Sequence, residues 1–456
     1  MIKLFNSLSK KKEIFKAIEP GKVKMYVCGM TVYDFCHLGH ARVLIVFDLI
    51  NRWFKVSGYD VIYVRNITDI DDKIIARAAE QGIPFGDLTQ KFIDEMNTDA
   101  HTLGVISPDI EPRATESIGA MIAMIQTLLE KNFAYIGANN DVFYAVTKFD
   151  GYGKLSGKSL EDLRAGNRVE VDKFKKNSFD FVLWKSAKPG EPSWDSPWGK
   201  GRPGWHIECS AMSNKFLGKN FDIHGGGQDL QFPHHENEIA QSEASNDCQM
   251  ANYWLHNGFV RVDDEKMSKS LGNFFTIREI LKHYDPEVVR FFVLKAQYRS
   301  PLNYSDHHLE DAKQGLTRLY LAIRESNSII DQKIDWKNSF SCQFKDALDD
   351  DFNTPEAISV LFSLANAVNK NRQNEEQALL IQLANILGIL EMEPEVFLRG
   401  NIEADDKNVD IDQLINDRLE AKKNKDYQKA DEIRIFLEGR DILLEDTPNG
   451  TIWRKK

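Results

Sequence analysis

Near the start of the chain, His37, Leu38, Gly39 and His40 set two imidazoles one helical turn apart with a glycine between them. Such rings can donate hydrogen bonds to a phosphoryl group whose charge grows during in-line displacement, and the glycine lets a nucleotide approach the backbone. Alone, the tetrapeptide is also what an ordinary helix start contains. A second group, Lys266, Met267, Ser268, Lys269 and Ser270, places two lysines three apart among small hydroxyls, ahead of Leu271 and Gly272. That composition suits a loop that closes over a triphosphate and neutralises departing pyrophosphate. A solvated basic turn would use the same residues, so it is the pairing of the two groups, far apart in the chain, that favours phosphate chemistry.

A third group carries metal-binding residue types. His234 and Glu238 in FPHHENEIAQ are four apart, so a helix projects both from one face toward one ion. Cys28 closes the first apolar strand and Cys209 lies in GWHIECSAM, where a second α/β portion begins. Zinc accepts nitrogen, oxygen and thiolate ligands together. A free cysteine is also commonly a small buried hydrophobe, and a lone His–Glu pair a surface contact; spacing alone leaves both readings open.

Regular elements must bring these groups together. KVKMYVC reads as a strand, ARVLIVFDLINRWFKVSG as a helix stopping at Gly58, and DVIYVRNIT as the next strand: a βαβ unit with the histidine tetrapeptide at its strand-to-helix turn. That turn is where such folds aim backbone N–H groups and a helix dipole at a phosphate. NFDIHGGGQDL reads as a strand running into a glycine turn, followed by a helix opened by Pro233. Thr276 and Glu279 form a capping box, Pro286 opens DPEVVRFFVL, and helix signals continue from Ser305 and through NTPEAISVLFSLANAVN.

These signals predict an α/β fold with a Rossmann-type catalytic domain split by an insertion, then a helical bundle and a small terminal domain. The expected divisions are 1–116 and 204–275 for the two catalytic halves, 117–203 for the insertion, 276–400 for the bundle, and 401–456 for an acidic linker with the last domain. A chain of 456 residues is long enough for several cores. It has no apolar run of membrane-spanning length, so no membrane role is expected. Five cysteines make no disulfide framework, and a net charge of −11 argues against general nucleic-acid binding while leaving room for a local basic groove.

The pair HLGH and KMSKS resembles the two signatures of class I aminoacyl-tRNA synthetases, with Leu38 where isoleucine is usual. The resemblance implies that His37, His40, Lys266 and Lys269 stabilise the transition state for an aminoacyl-adenylate. It also implies that His37, Gly39, His40, Gly227, Asp229, Lys266, Ser268 and Lys269 contact ATP, which enters with Mg2+. Cys28, Cys209, His234 and Glu238 match, position by position, the zinc site of the cysteinyl members, and Gly29, Thr31, Thr68, Trp205 and His224 look like their substrate pocket. The implied activity is attachment of L-cysteine to tRNA(Cys) by a cytoplasmic monomer. A soft metal would select thiol over hydroxyl, a distinction that an apolar pocket makes poorly.

By the same resemblance the C-terminal segment is an anticodon-recognising domain in which Trp453 stacks on a base. Two alternatives remain: a mycothiol-type ligase that passes cysteine to a small amine, and a non-catalytic synthetase-like RNA-binding protein. The terminal domain argues against the first, and the intact signatures and metal positions against the second. Cys36, Cys248 and Cys342 belong to no motif.

Overall fold

The computed structural model describes residues 1–158, 173–262, 274–324, 333–371, 373–400, 410–446 and 450–456, and by backbone alone 265–266 and 447. Ser268, Lys269, the Lys266 side chain and most of the expected acidic linker lie outside the described residues. The described chain forms two units by internal contact. One comprises Met1–Ala312 with Cys342–Ser359 and Ile386–Gly388; the other comprises Lys313–Ser341, Val360–Asn385 and Ile389–Lys456.

The first unit is organised by a four-stranded parallel sheet in the order Ala251–Asn257, Phe221–Gly227, Lys22–Val27, Asp60–Arg65. The middle of the sheet lies in the interior: every residue of Phe221–Gly227 is buried, its Asp222 and His224 included. The chain runs from the strand Lys22–Val27 through the helix Leu38–Val56 to the edge strand Asp60–Arg65, then returns on the other side with Phe221–Gly227. The order therefore reverses between Lys22–Val27 and Phe221–Gly227, and the carboxyl ends of those strands border the crevice where such sheets bind ligands. Between the halves, Ala134–Ile136, Val142–Tyr144, Phe181–Ser186 and Gly201–Pro203 form a separate antiparallel sheet.

Local signals explain the helix boundaries. Helix Leu38–Val56 ends at Ser57, and Gly58 follows at φ +89, a left-handed conformation that suits glycine. The capping box of Thr276 and Glu279 opens the short helix Ile277–Ile280, and Asp285 caps Pro286–Leu294 with the proline at its first turn. The glycine run behaves otherwise than expected. Gly225, Gly226 and Gly227 are the end of the strand itself, because a Cβ on Gly225 would stand 2.2 Å from the Phe47 ring. These glycines admit neighbouring side chains rather than turning the chain. Pro233, likewise, lies in a wide turn over Gln231–His235, and the regular helix begins at Glu236.

Arg42 ties the signature helix to the segment that leads toward the second signature. The side chain is fully buried and donates from Nη1 to the carbonyls of Gly258 (2.9 Å) and Phe259 (2.8 Å), and from Nη2 to those of Tyr298 (3.0 Å) and Ser300. Burial pushes its guanidinium down to about 10. Arg42→Met removes the four charged donations, although Phe259 O keeps the Leu302 N–H, Tyr298 O the Gly258 N–H and Gly258 O the Asn257 amide; the loss is roughly 1–3 kcal/mol. Thermal unfolding should show a melting temperature lower by about 5–10 °C; an unchanged midpoint would mean that water replaces the guanidinium at no cost.

In the second unit, the helices Ile411–Lys423 and Tyr427–Glu438 and the hairpin Ile442–Thr447/Gly450–Lys455 share a small core. Trp453 is one of its members, only 5% exposed and packed with Ile411, Ile415, Ile433, Leu437 and Ile442. This corrects the expectation that its ring stacks on a base: alternation along the hairpin turns the indole inward, where the small domain needs its apolar area. Among the described residues no helix is long and apolar enough to cross a membrane.

Candidate active site and metal centre

At the carboxyl ends of the reversing strands lies a cleft of about 360 Å³, walled by Cys28, Gly29, Thr31, His37, Gly39, His40, Trp205, Gly227 and Asp229. Nine of the residues singled out from the sequence thus meet in one cavity. The signature histidines define the helix start. His37 is the N-cap: its Nδ1 accepts from the His40 backbone N–H (3.2 Å), while His40 Nδ1 accepts from the His37 N–H (3.3 Å). The rings stack with centroids 3.5 Å apart. With both Nδ1 atoms accepting, each neutral ring carries its proton on Nε2, the donor form that phosphoryl transfer requires.

The loops at the strand ends touch. A Cβ on Gly29 would lie 1.6 Å from the Asn66 carbonyl oxygen, so only glycine permits this approach. Gly29 N–H donates to Asn66 Oδ1 (2.9 Å), Asn66 Nδ2 to Thr68 Oγ1 (3.3 Å), and Thr68 Oγ1 to Glu208 Oε2 (3.0 Å). Thr68 stands behind the cleft wall and does not cap the following helix, which Asp71 caps instead.

Behind Cys28 the structure brings together the four expected metal ligands. Donor atoms of Cys28, Cys209, His234 and Glu238, all buried, lie within 4.8 Å of one another. His234 Nε2 is 3.0 Å from Glu238 Oε1, and Cys28 Sγ is 3.3 Å from the same oxygen. His224 is also fully buried, with Nε2 3.4 Å from Cys28 Sγ and 3.3 Å from Glu238 Oε2. With Cys28, His235 and Glu238 it makes a second, overlapping set. Trp205 stacks over the His234 ring at 4.1 Å and separates it from the open cleft.

The charges suit a cation. Burial opposes ionisation of Glu238, but His224 and His234 hold its carboxyl well below the usual range. Burial also works against the Cys209 thiolate, yet hydrogen bonding from Cys28 and His234 brings that thiol down to about 6. Against burial, Glu238 and Cys209 push His234 up to about 10, so the proton on His234 stands where a metal cation would, while burial raises Cys28 well above its ordinary value. Two thiols, an imidazole and a carboxylate in one dry site form a donor set that fits zinc.

Residues 14–314 match the family described as tRNA synthetases class I (C) catalytic domain, and residues 343–391 match the DALR domain. The cysteine–tRNA ligase of Methylobacillus flagellatus is 63% identical over 455 residues, spanning 100% of both chains. The cysteine–tRNA ligase of Laribacter hongkongensis is 60% identical, again over 100% of both. The chain belongs to the cysteine–tRNA ligase family.

Among solved structures, the Mycobacterium tuberculosis methionyl-tRNA synthetase in complex with methionyl-adenylate shares the fold of this cysteine–tRNA ligase family member. The TM-score is 0.56 at 13% identity, covering 80% of this chain and 89% of that one. The site also contains residues that sequence reasoning passed over. Arg65, Lys73 and Asn257 line the cleft, and His206 and Asn66 stand behind it. Arg65 and Asn66 follow from their place at the carboxyl end of a sheet strand, where functional residues gather; nothing in the sequence marked His206 apart.

Proposed function

We propose that this chain activates L-cysteine with Mg2+-bound ATP and transfers it to the 3′ end of tRNA(Cys). The observation that carries the reading is a buried thiol–imidazole–carboxylate cluster that opens onto the nucleotide cleft through Cys28. In the first step a cysteine carboxylate oxygen attacks the α-phosphorus of ATP and pyrophosphate leaves. In the second, a ribose hydroxyl at the tRNA terminus attacks the adenylate carbonyl and AMP leaves.

The Nε2–H donors of His37 and His40 meet phosphoryl oxygens as their charge rises. Gly39 admits the nucleotide to the backbone, and Gly227 and Asp229, which line the same cleft, add further contacts to it. Lys266, Ser268 and Lys269 complete the phosphate contacts by resemblance. Cys28, Cys209, His234 and Glu238 would hold zinc, which when bound would supply a soft Lewis acid that favours a thiolate over a hydroxyl and so separates cysteine from serine. Gly29, Thr31 and Trp205 wall the amino-acid end of the cleft, while Thr68 and His224 brace it from behind. By the same reading the enzyme works as a cytoplasmic monomer.

The test is transfer of labelled cysteine, with ATP and zinc, onto deacylated total tRNA. Charging that excess serine does not compete away is the expected result. Adenylate formation without charging would instead identify a ligase for a small amine, and no activation at all would identify a non-catalytic binder.

A further inference from the structure

His206 lies on the helix Trp205–Leu217, one turn ahead of Cys209, and its Nδ1 stands 2.9 Å from the Nδ1 of His234. Two imidazole nitrogens approach this closely only when one carries the proton they share. The other nitrogen of His234, Nε2, faces Glu238 Oε1 at 3.0 Å and belongs to the cluster. A neutral imidazole that offers its Nε2 lone pair to a metal must keep its proton on Nδ1. His206 Nδ1 is therefore the acceptor, and its own proton sits on Nε2.

The His206 ring is held for this task. The edge of Phe181 meets it at 5.5 Å and 77°, and Trp205 lies against it at 5.1 Å. Its backbone carbonyl accepts from Gln241 Nε2 (3.0 Å), which fixes the cysteine-bearing helix to the helix Glu236–Asn246 that carries Glu238. The ring plane of His234 is thus set from two directions, by the Trp205 stack on its face and by the His206 acceptor at its edge.

We propose that His206 is a positioning residue of the metal centre: it accepts the Nδ1–H of His234, fixes that tautomer and ring plane, and thereby tightens zinc binding. The inference rests on the zinc reading above. Acceptors of this kind orient metal-bound histidines and raise their basicity, and losing one costs roughly 10–100-fold in metal affinity.

The experiment compares full-length wild type, His206→Asn and His206→Leu, each stripped of metal. Zinc affinity is measured against a chromophoric chelator, and the cobalt(II) forms are recorded for their d–d and thiolate charge-transfer bands. Asparagine places an amide oxygen near the position of Nδ1, whereas leucine has similar bulk and no acceptor. The expected result is zinc binding weakened roughly 10–100-fold with altered cobalt bands in the leucine variant, and most of the affinity recovered with asparagine. Melting temperatures of the metal-free proteins check folding, and His206→Ala replaces the leucine variant should that one not fold. No loss in either variant, or equal loss in both, overturns the role of His206 and leaves the zinc reading standing. A wild type that takes up neither metal overturns both.

Discussion

Cys209→Ser should remove most of the preference for cysteine over serine and, with it, the bound zinc. The substitution scarcely changes volume, so the helix Trp205–Leu217 can keep its packing around a residue that is 2% exposed. What changes is the ligand: a thiol brought down to about 6 becomes a hydroxyl that stays protonated and is a poor partner for zinc. Without a direct contact to sulfur, the pocket can separate the two amino acids only by the small difference in their size and polarity, about a hundredfold or less. His234→Ala should act in the same direction, because it deletes a ligand and the ring on which Trp205 stacks. ATP–pyrophosphate exchange with each amino acid, together with metal content by atomic absorption, decides the matter. An unaltered preference in a variant holding no zinc would refute the assignment.

The other large effect belongs to the phosphate side of the cleft. His40→Ala should lower kcat for adenylate formation by roughly 10²–10³-fold, the usual consequence of deleting one donor to developing charge. KM for cysteine should change little, since the metal cluster is built from other residues. The ring has a structural task as well: His40 Nδ1 accepts the His37 N–H, so alanine also breaks one half of the helix cap. Losing a cap interaction costs about 1 kcal/mol of stability, too little to unfold the enzyme, and thermal melting measures it separately. A variant that melts as expected yet turns over within tenfold of wild type would show that His40 is a cap and nothing more.

Much of the site was legible in the sequence because its residues sit where strand, turn and helix signals are strongest. HLGH falls at a helix start whose boundaries the apolar periodicity marks, and the cleft forms at the end of a strand whose closing residues, Met25, Tyr26 and Val27, are apolar and buried. The metal quartet is different. Spacing relates His234 to Glu238, and their places in the inferred fold offered Cys28 and Cys209 as thiolates, but only family resemblance joined the four into one set; the parallel sheet then explained how segments so distant in sequence meet.

What escaped depends on tertiary neighbours. The run Gly225–Gly227 has the composition of a turn, and only Phe47 and His235 pressed against it explain why it stays extended. Trp453 has the chemistry of a stacking residue, and only the small terminal core shows its ring to be committed. His206 looks like any helical histidine until a second ring is placed 2.9 Å away.

The strand order also bears on how the chain is made. Met25 pairs with Ile223, so the interior of the central sheet cannot close until the whole insertion has left the ribosome. Until then Lys22–Val27 waits with one side unpaired and its apolar faces partly bare, open to association with other nascent chains. Such long-range pairing folds slowly, and it makes the period between synthesis of the first half and arrival of the second the time when this protein most needs a chaperone.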